Sequence, residues 1–240
     1  MINLSVNINK IATIRNARGG NIPNLAKFAM DCEKFGADGI TVHPRPDERH
    51  ITLKDVHDIA ENIQTEFNIE GYPDERYMKI IKDIKPKQAT LVPDPPNVLT
   101  SDNGWNIEKD KEMLIPIIQS IKDLGVRTSL FVNADEKSIR AAALTGTDRI
   151  ELYTGPFAEH FHQNPSEAIR SYIEAANIAK ECGISVNAGH DLSLDNLKYF
   201  AENVTHLDEV SIGHALISDA LYFGIENAIQ MYKRCLLNHF

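Results

Sequence analysis

A chain of 240 residues that is 42% hydrophobic and 25% charged can bury one substantial core, and its length fits one barrel or one open α/β domain spanning residues 1–240. The net charge of −9 and the pI near 5.5 exclude the basic footprint of a general nucleic-acid binder, so any anionic ligand must be held by a local patch. Three isolated cysteines without metal-ligand spacing, no basic leader and no apolar run of membrane length point to a reduced, soluble, cytoplasmic protein.

Residues 3–8 read as the first strand, and residues 9–22 as a long polar loop. Lys10, Arg15 and Arg18 lie in the first twenty residues, which hold no carboxylate and so form a candidate anion patch. Leu25, Phe28, Ala29, Cys32 and Phe35 recur at helical spacing, with Pro23 suited to an early helical position and Gly36 to the stop. Residues 39–43 make the second strand. A helix from Thr52 carries Leu53, Val56, Ile59, Ala60 and Ile63, and residues 68–70 form a short third strand. Pro73 and Asp74 open a helix with Tyr77, Ile80, Ile81 and Ile84 on its buried stripe, and residues 88–92 make the fourth strand.

Residues 93–106 exceed the usual short connection and have the length of a lid. The pattern then continues with a helix over 110–124, a strand over 127–132, a helix capped by residues 133–135 and a strand over 149–153. A loop over 154–164, a helix over 165–182, a strand over 185–187 and a helix capped by Ser193 follow. The chain closes with a strand over 209–212 and a helix from Ser218 carrying Leu221, Ile225, Ala228, Ile229 and Tyr232. About eight strand–helix units in strict alternation predict a (β/α)8 TIM barrel, with an open doubly wound sheet as the alternative. No GxGxxG follows the first strand and no GxxxxGK[ST] occurs.

In such a barrel the carboxyl ends of all strands surround one mouth, and polar residues stand at nearly every predicted strand end: Asn7, His43, Glu70, Glu151, His190, Gly213 and His214. His43, Glu70, Glu151 and His190 are candidate acid–base groups, with Arg18 and Arg45 as electrostatic partners. The glycines in residues 187–190 and at 213 can bare backbone N–H groups for phosphate, although each equally permits a tight turn. Nearby arginines and lysines disfavour a cation, and no HExxH spacing occurs, so no metal is assigned.

The segments VNINKIATIRNARGG, GADGITVHPRPDERHIT, NIEG, TLVPD, SLFVNAD, IELYTG, VNAGHDLS and SIGHALI together resemble the pyridoxine 5′-phosphate synthase family, in order and over nearly the whole chain. The resemblance implies a (β/α)8 barrel and a transferase of vitamin B6 biosynthesis. It would condense 1-deoxy-D-xylulose 5-phosphate with 3-amino-2-oxopropyl phosphate, releasing inorganic phosphate and water, without cofactor or metal and as a homo-octamer. It also implies that His43 and Glu70 accept protons, His190 donates one and Glu151 stabilises a transition state. Asn7, Arg18, Asp191, Gly213 and His214 would contact the amino-ketone phosphate; Asn9, Lys10, Arg45, His50 and Thr100 the pentulose phosphate. Asn9-Lys10 stands where many members have Asp-His, and Asp191 where Gly is commoner. The competing readings are another phosphosugar barrel enzyme, an isomerase or aldolase, and a catalytically silent barrel.

Overall fold

Burial of one side of each strand organises the molecule. In a computed structural model, which describes residues 1–93 and 103–237, the alternate strand residues Leu4, Val6, Ile40, Val42, Ile69, Leu91, Leu130, Val132, Ile150, Leu152, Val186, Val210 and Ile212 are all buried in one apolar core. Their strands are β1 (Asn3–Asn7), β2 (Gly39–Val42), β3 (Glu66–Gly71), β4 (Gln88–Leu91), β5 (Arg127–Val132), β6 (Arg149–Leu152), β7 (Ser185–Ala188) and β8 (Leu207–Ile212). All pair in parallel with their sequence neighbours, and β8 returns to β1 from Asn3↔Glu209 to Val6↔Ile212, which closes the barrel. The open doubly wound alternative is thereby excluded.

The helices that cover the outer wall are α1 (Asn9–Asn16), α2 (Leu25–Lys34), α3 (Leu53–Asn62), α4 (Glu75–Ile84), α5 (Ile107–Lys122), α6 (Glu136–Ala143), α7 (Gly155–Phe161), α8 (Pro165–Ala168), α9 (Arg170–Glu181), α10 (Leu197–Asn203), α11 (His214–Phe223) and α12 (Ile225–Cys235). Their starts are chemically marked: Thr52 and Asp55 form a reciprocal capping box, while Asp74 and Asp135 accept the N–H groups of Tyr77 and Ser138. Among the described residues no helix is long and apolar enough to cross a membrane.

Because side chains alternate along a strand, the residues between the outward-facing ones line the lumen. Barrel interiors are usually filled by Val, Ile and Leu; this one is polar. The Ser5 and Thr41 hydroxyls lie 2.7 Å apart, Asn68 donates to Thr41 at 3.3 Å, and Thr90 donates to the Asn68 carbonyl at 3.0 Å. Towards the amino-terminal ends of the strands Arg127 pairs with Glu66 and donates to Gln88 at 2.9 Å. Desolvation of these groups is offset by hydrogen bonding to one another.

Several expected boundaries differ. Residues 9–22 are not all loop: α1 turns Ile11, Ala12 and Arg15 inward, an eight-residue helix held by tertiary burial and hidden by its polar outer face. Likewise α7 occupies most of the expected loop over 154–164, anchored by fully buried Phe157. The helix expected over 165–182 divides into α8 and α9. Pro23 precedes the N-cap Asn24 rather than entering the helix. Ser193 caps nothing; its N–H instead donates to Asn196, and α10 begins at Leu197. The last helix divides at Gly224, whose φ of 77° suits glycine, so Leu221 lies in the last turn of α11 at 72% exposure instead of joining the buried stripe of α12.

Arg15 also leaves the anion patch to which its sequence position assigned it. Its guanidinium is buried, donates to Asp55 at 2.8 Å and reaches the His50 carbonyl at 3.3 Å. Burial alone would raise the Asp55 carboxyl, but the hydrogen bonds from Arg15 and Thr52 hold it below the usual carboxylate range. Removing one partner of such a buried pair costs about 3–5 kcal/mol, so Arg15 fixes the segment between β2 and α3.

Candidate active site at the carboxyl end of the barrel

The first half of the site is built by β1, β2 and β3. Asn7, at the end of β1, donates to the Glu70 carboxylate at 3.4 Å and accepts the Asn9 N–H at 3.1 Å. Asn9 in turn accepts the backbone N–H of His43 at 2.9 Å, just past β2. The His43 Nδ1 atom lies 3.9 Å from Glu70 Oε2, too far for a hydrogen bond but close enough for a proton relay after a small approach.

Electrostatics keep His43 neutral. Burial pushes its pKa well below the usual value, and Arg45, His50 and Arg49 add to that effect against Asp47. His50 is pushed down to about 4, by burial first and then by Arg45, Lys10 and Arg49. Its Nδ1 accepts the Ile51 N–H at 2.9 Å, so the neutral ring carries its hydrogen on Nε2. The two rings meet edge to face with centroids 6.2 Å apart. Near pH 7 His43 is therefore a base with its lone pair available, set beside buried Arg45.

Glu151, on β6, is 4% exposed and its Oε2 has no hydrogen-bond partner. Burial, then repulsion from Glu70, pushes its carboxyl up to about 8, with His190 opposing. A carboxyl so tuned can donate a proton at neutral pH and accept one back. His190, on the turn after β7, is partly exposed and faces Tyr153 edge-on at 6.3 Å. Its Nδ1 lies 2.8 Å from Asp191 Oδ2. Thr154 ties this turn down: its hydroxyl donates to the Gly189 carbonyl at 2.9 Å and accepts the Asp191 N–H at 3.2 Å.

Gly213 stands at the N-cap of α11, where no side chain caps the helix, so the N–H groups of its first turn are open to an anion. A Cβ there would meet the Asn7 side chain at 3.1 Å, which brings β8 against the Asn7–Glu70 pair. Helix α1 has no side-chain cap from its N-cap residue Ile8, although Asn7 takes the Asn9 N–H, and exposed Lys10 lies in its first turn. Arg18, just past α1, and His214, the first residue of α11, are exposed. Thr100 and most of the expected lid, residues 94–102, lie outside the described residues. At the far end of that segment Trp105 is buried, donates to the Leu91 carbonyl at 2.9 Å and stacks on Tyr72 at 5.8 Å.

Sequence reasoning missed Arg76, Thr154, Asn187 and Glu209. Arg76 sits on α4 yet donates to the Pro44 carbonyl at 2.6 Å and pairs with Glu48, holding the turn that carries His43 and Arg45. Only the pairing of β2 with β3 could have pointed to it. Among the described residues no three His, Cys, Asp or Glu side chains form a group able to hold a metal ion.

A closed parallel barrel with tuned His and Glu side chains, and with the uncapped start of α11 beside the mouth, is the architecture of an acid–base enzyme for an anionic substrate. Comparison with known proteins narrows this. The sequence profile of the family described as "Pyridoxal phosphate biosynthesis protein PdxJ" matches residues 4–238, and the chain belongs to that family. It is 55% identical over 233 residues to a pyridoxine 5′-phosphate synthase of Porphyromonas gingivalis, covering 97% of this chain and 98% of the relative. It is 56% identical over 236 residues to that of Bacteroides thetaiotaomicron, covering 98% and 100%. Among solved structures, a phosphoribosylanthranilate isomerase of Thermotoga maritima superposes with a TM-score of 0.61 at 14% identity, covering 98% of each chain. A 4-hydroxy-2-oxoglutarate aldolase superposes with a TM-score of 0.64 at 14% identity, covering 98% of this chain and 94% of the other. Both speak to the barrel alone.

Proposed function

We propose that this protein is a pyridoxine 5′-phosphate synthase, condensing 1-deoxy-D-xylulose 5-phosphate with 3-amino-2-oxopropyl phosphate into pyridoxine 5′-phosphate, inorganic phosphate and water. The observation that carries the reading is identity of 55% or more to synthases of that name over 97% or more of the chain. The reaction is a series of proton transfers. The substrate amine adds to the sugar ketone and loses water to give an imine, enolisation expels phosphate, and an aldol-type closure with dehydration makes the ring aromatic.

His43 and Glu70 accept protons in this scheme. A neutral, buried imidazole 3.9 Å from a carboxylate supports that role. His190 donates, and the Asp191 carboxylate 2.8 Å from its Nδ1 supports that role by orienting the ring. Glu151 stabilises the transition state from the lumen wall. Asn7, Arg18, Asp191, Gly213 and His214 hold the amino-ketone phosphate, supported by the open first turn of α11. Asn9, Lys10, Arg45, His50 and Thr100 hold the pentulose phosphate, supported by the mutual influence of Lys10, Arg45 and His50. The chain acts as one barrel domain in the cytoplasm, without a cofactor. It assembles as a homo-octamer, to which the exposed Leu221, Tyr222 and Phe223 at the end of α11 lend an apolar contact.

Mixing both substrates with the purified protein is expected to yield pyridoxine 5′-phosphate with equimolar phosphate, undiminished after dialysis against a chelator. Turnover of a single phosphosugar without ring formation would replace the reading with an isomerase or aldolase. Lys10 provides a finer test. A flexible ammonium at an exposed helix start acts as a point charge for phosphate. Lys10→Ala is expected to raise KM for the pentulose phosphate about tenfold, equivalent to about 1.4 kcal/mol of charge-assisted hydrogen bonding, with little change for the amino-ketone. Equal constants with each substrate varied in turn would leave Lys10 without a binding role.

A further inference from the structure

Across β6, β7 and β8 the lumen carries one row of buried residues in register. Glu151 is the pairing partner of Asn187, and Asn187 that of Glu209. All three are at most 4% exposed. The row exists because the β7–β8 register shifts: Val186 opposes Leu207 but Asn187 opposes Glu209, so Asp208 is passed over and accepts the Val186 N–H at 3.1 Å. Such a bulge re-aims the next side chain, and here it sets Glu209 beside Asn187.

Arg149 locks the row. Its Nη1 donates to Asn187 Oδ1 at 2.9 Å and lies 3.5 Å from Glu209 Oε2. A guanidinium only donates, so it fixes the amide with its oxygen towards Arg149 and its Nδ2 hydrogens turned away. Those hydrogens are buried without a partner, as is Oε2 of the neighbouring Glu151. An orphan donor beside an orphan acceptor, on adjacent strands and in register, is a contact waiting for a small approach or one bridging water.

We propose that Asn187 is a positioning residue for the Glu151 carboxyl, holding it through Nδ2 while Arg149 and Glu209 hold Asn187. This rests on the reading of Glu151 as a group of the active site. The other charges facing the row are Glu70 from β3 and His190 from the β7 turn on the Glu151 side, with Arg127 from β5 and Asp208 on the Glu209 side. An amide N–H stabilises the ionised carboxylate and so opposes the lift that burial and Glu70 give Glu151.

The test uses Asn187→Asp and Asn187→Ala in the full chain. Asn187→Asp keeps the shape and an oxygen for Arg149 but replaces the donor facing Glu151 by an acceptor and sets a further carboxyl between Glu151 and Glu209, so its folding is checked first and the uncharged Asn187→Ala must lower kcat in the same direction. Expected are a loss in kcat of roughly ten- to a hundredfold, the scale of one hydrogen bond to a charged group, KM values changed less than about twofold, and the pH limb belonging to Glu151 displaced to higher pH. In a Glu151→Ala background, which leaves no acceptor for Nδ2, Asn187→Ala is expected to add almost nothing, since the two changes remove one interaction. Unchanged kcat and pH profile in folded Asn187→Asp would overturn the proposal, as would an undiminished effect of Asn187→Ala on Glu151→Ala. A wild-type level of activity in Glu151→Ala would instead overturn the role given to Glu151.

Discussion

Glu70→Gln is expected to lower kcat on the order of 10²-fold or more, the scale on which a positioned acid–base group acts. Glutamine keeps the shape and can still accept from Asn7, which sits 3.4 Å away, so substrate affinity should change little. The carboxylate proposed to accept a proton beside His43 is gone. A second signature separates this loss from general damage: Glu70 is the charge that repels the ionised form of Glu151, whose carboxyl stands at about 8. With that repulsion removed, Glu151 should ionise at lower pH, and its limb in the kcat profile should move down. Turnover within about threefold of the wild type, or a limb that stays in place, would take Glu70 out of the proton-transfer scheme.

Gly189→Ala should be a severely damaging small change. A Cβ at this position would stand 2.0 Å from the Ser211 carbonyl oxygen and 2.9 Å from its carbon, both backbone atoms of the neighbouring strand. The β7 end and β8 would have to part, and the turn bearing His190 and Asp191 would move with them. A cost of about 3 kcal/mol or more, at the upper end for overpacking, corresponds in a chain of this size to a fall in Tm of roughly 6–12 °C. Calorimetry on the two proteins measures it, and activity should vanish in parallel. A Tm within about 2 °C of the wild type would mean that the two strands are not packed as tightly as described.

Much of this could be read from the sequence, for a physical reason. A parallel barrel needs each strand to bury an apolar outer face, so the short Ile, Val and Leu runs at residues 40–42, 89–92, 130–132 and 150–152 announce strands. The aspartates and threonines that cap α3, α4 and α6 announce the helices between them. Helices α1 and α7 were not legible. Each is short, has an N-cap residue whose side chain makes no capping bond and shows only one to three buried positions, so its polarity resembled that of a loop. The mouth residues Asn7, Asn9, His43 and Glu70 could be gathered because all stand at or just past strand ends. Glu209 could not, because its inward aim depends on the skipped pairing of Asp208, which no periodicity reveals. Arg15 was misassigned for a related reason. A basic residue in a stretch without carboxylates seemed free for a ligand, but Asp55, forty positions away, had already claimed it.

The hydroxyl- and amide-lined lumen has a consequence for how this barrel can vary over evolutionary time. Where an interior is filled by aliphatic side chains, volume is the inherited quantity, and exchange among Val, Ile and Leu is nearly free once volume is kept. Here Ser5, Thr41, Asn68 and Thr90 form a chain in which each link is a donor meeting an acceptor. Valine in place of Thr41 would keep the shape and strand two partners, whereas serine would keep both links and lose only a methyl. The inner wall of such a protein drifts within an alphabet of hydrogen-bonding side chains, while its outer wall drifts within an alphabet of sizes.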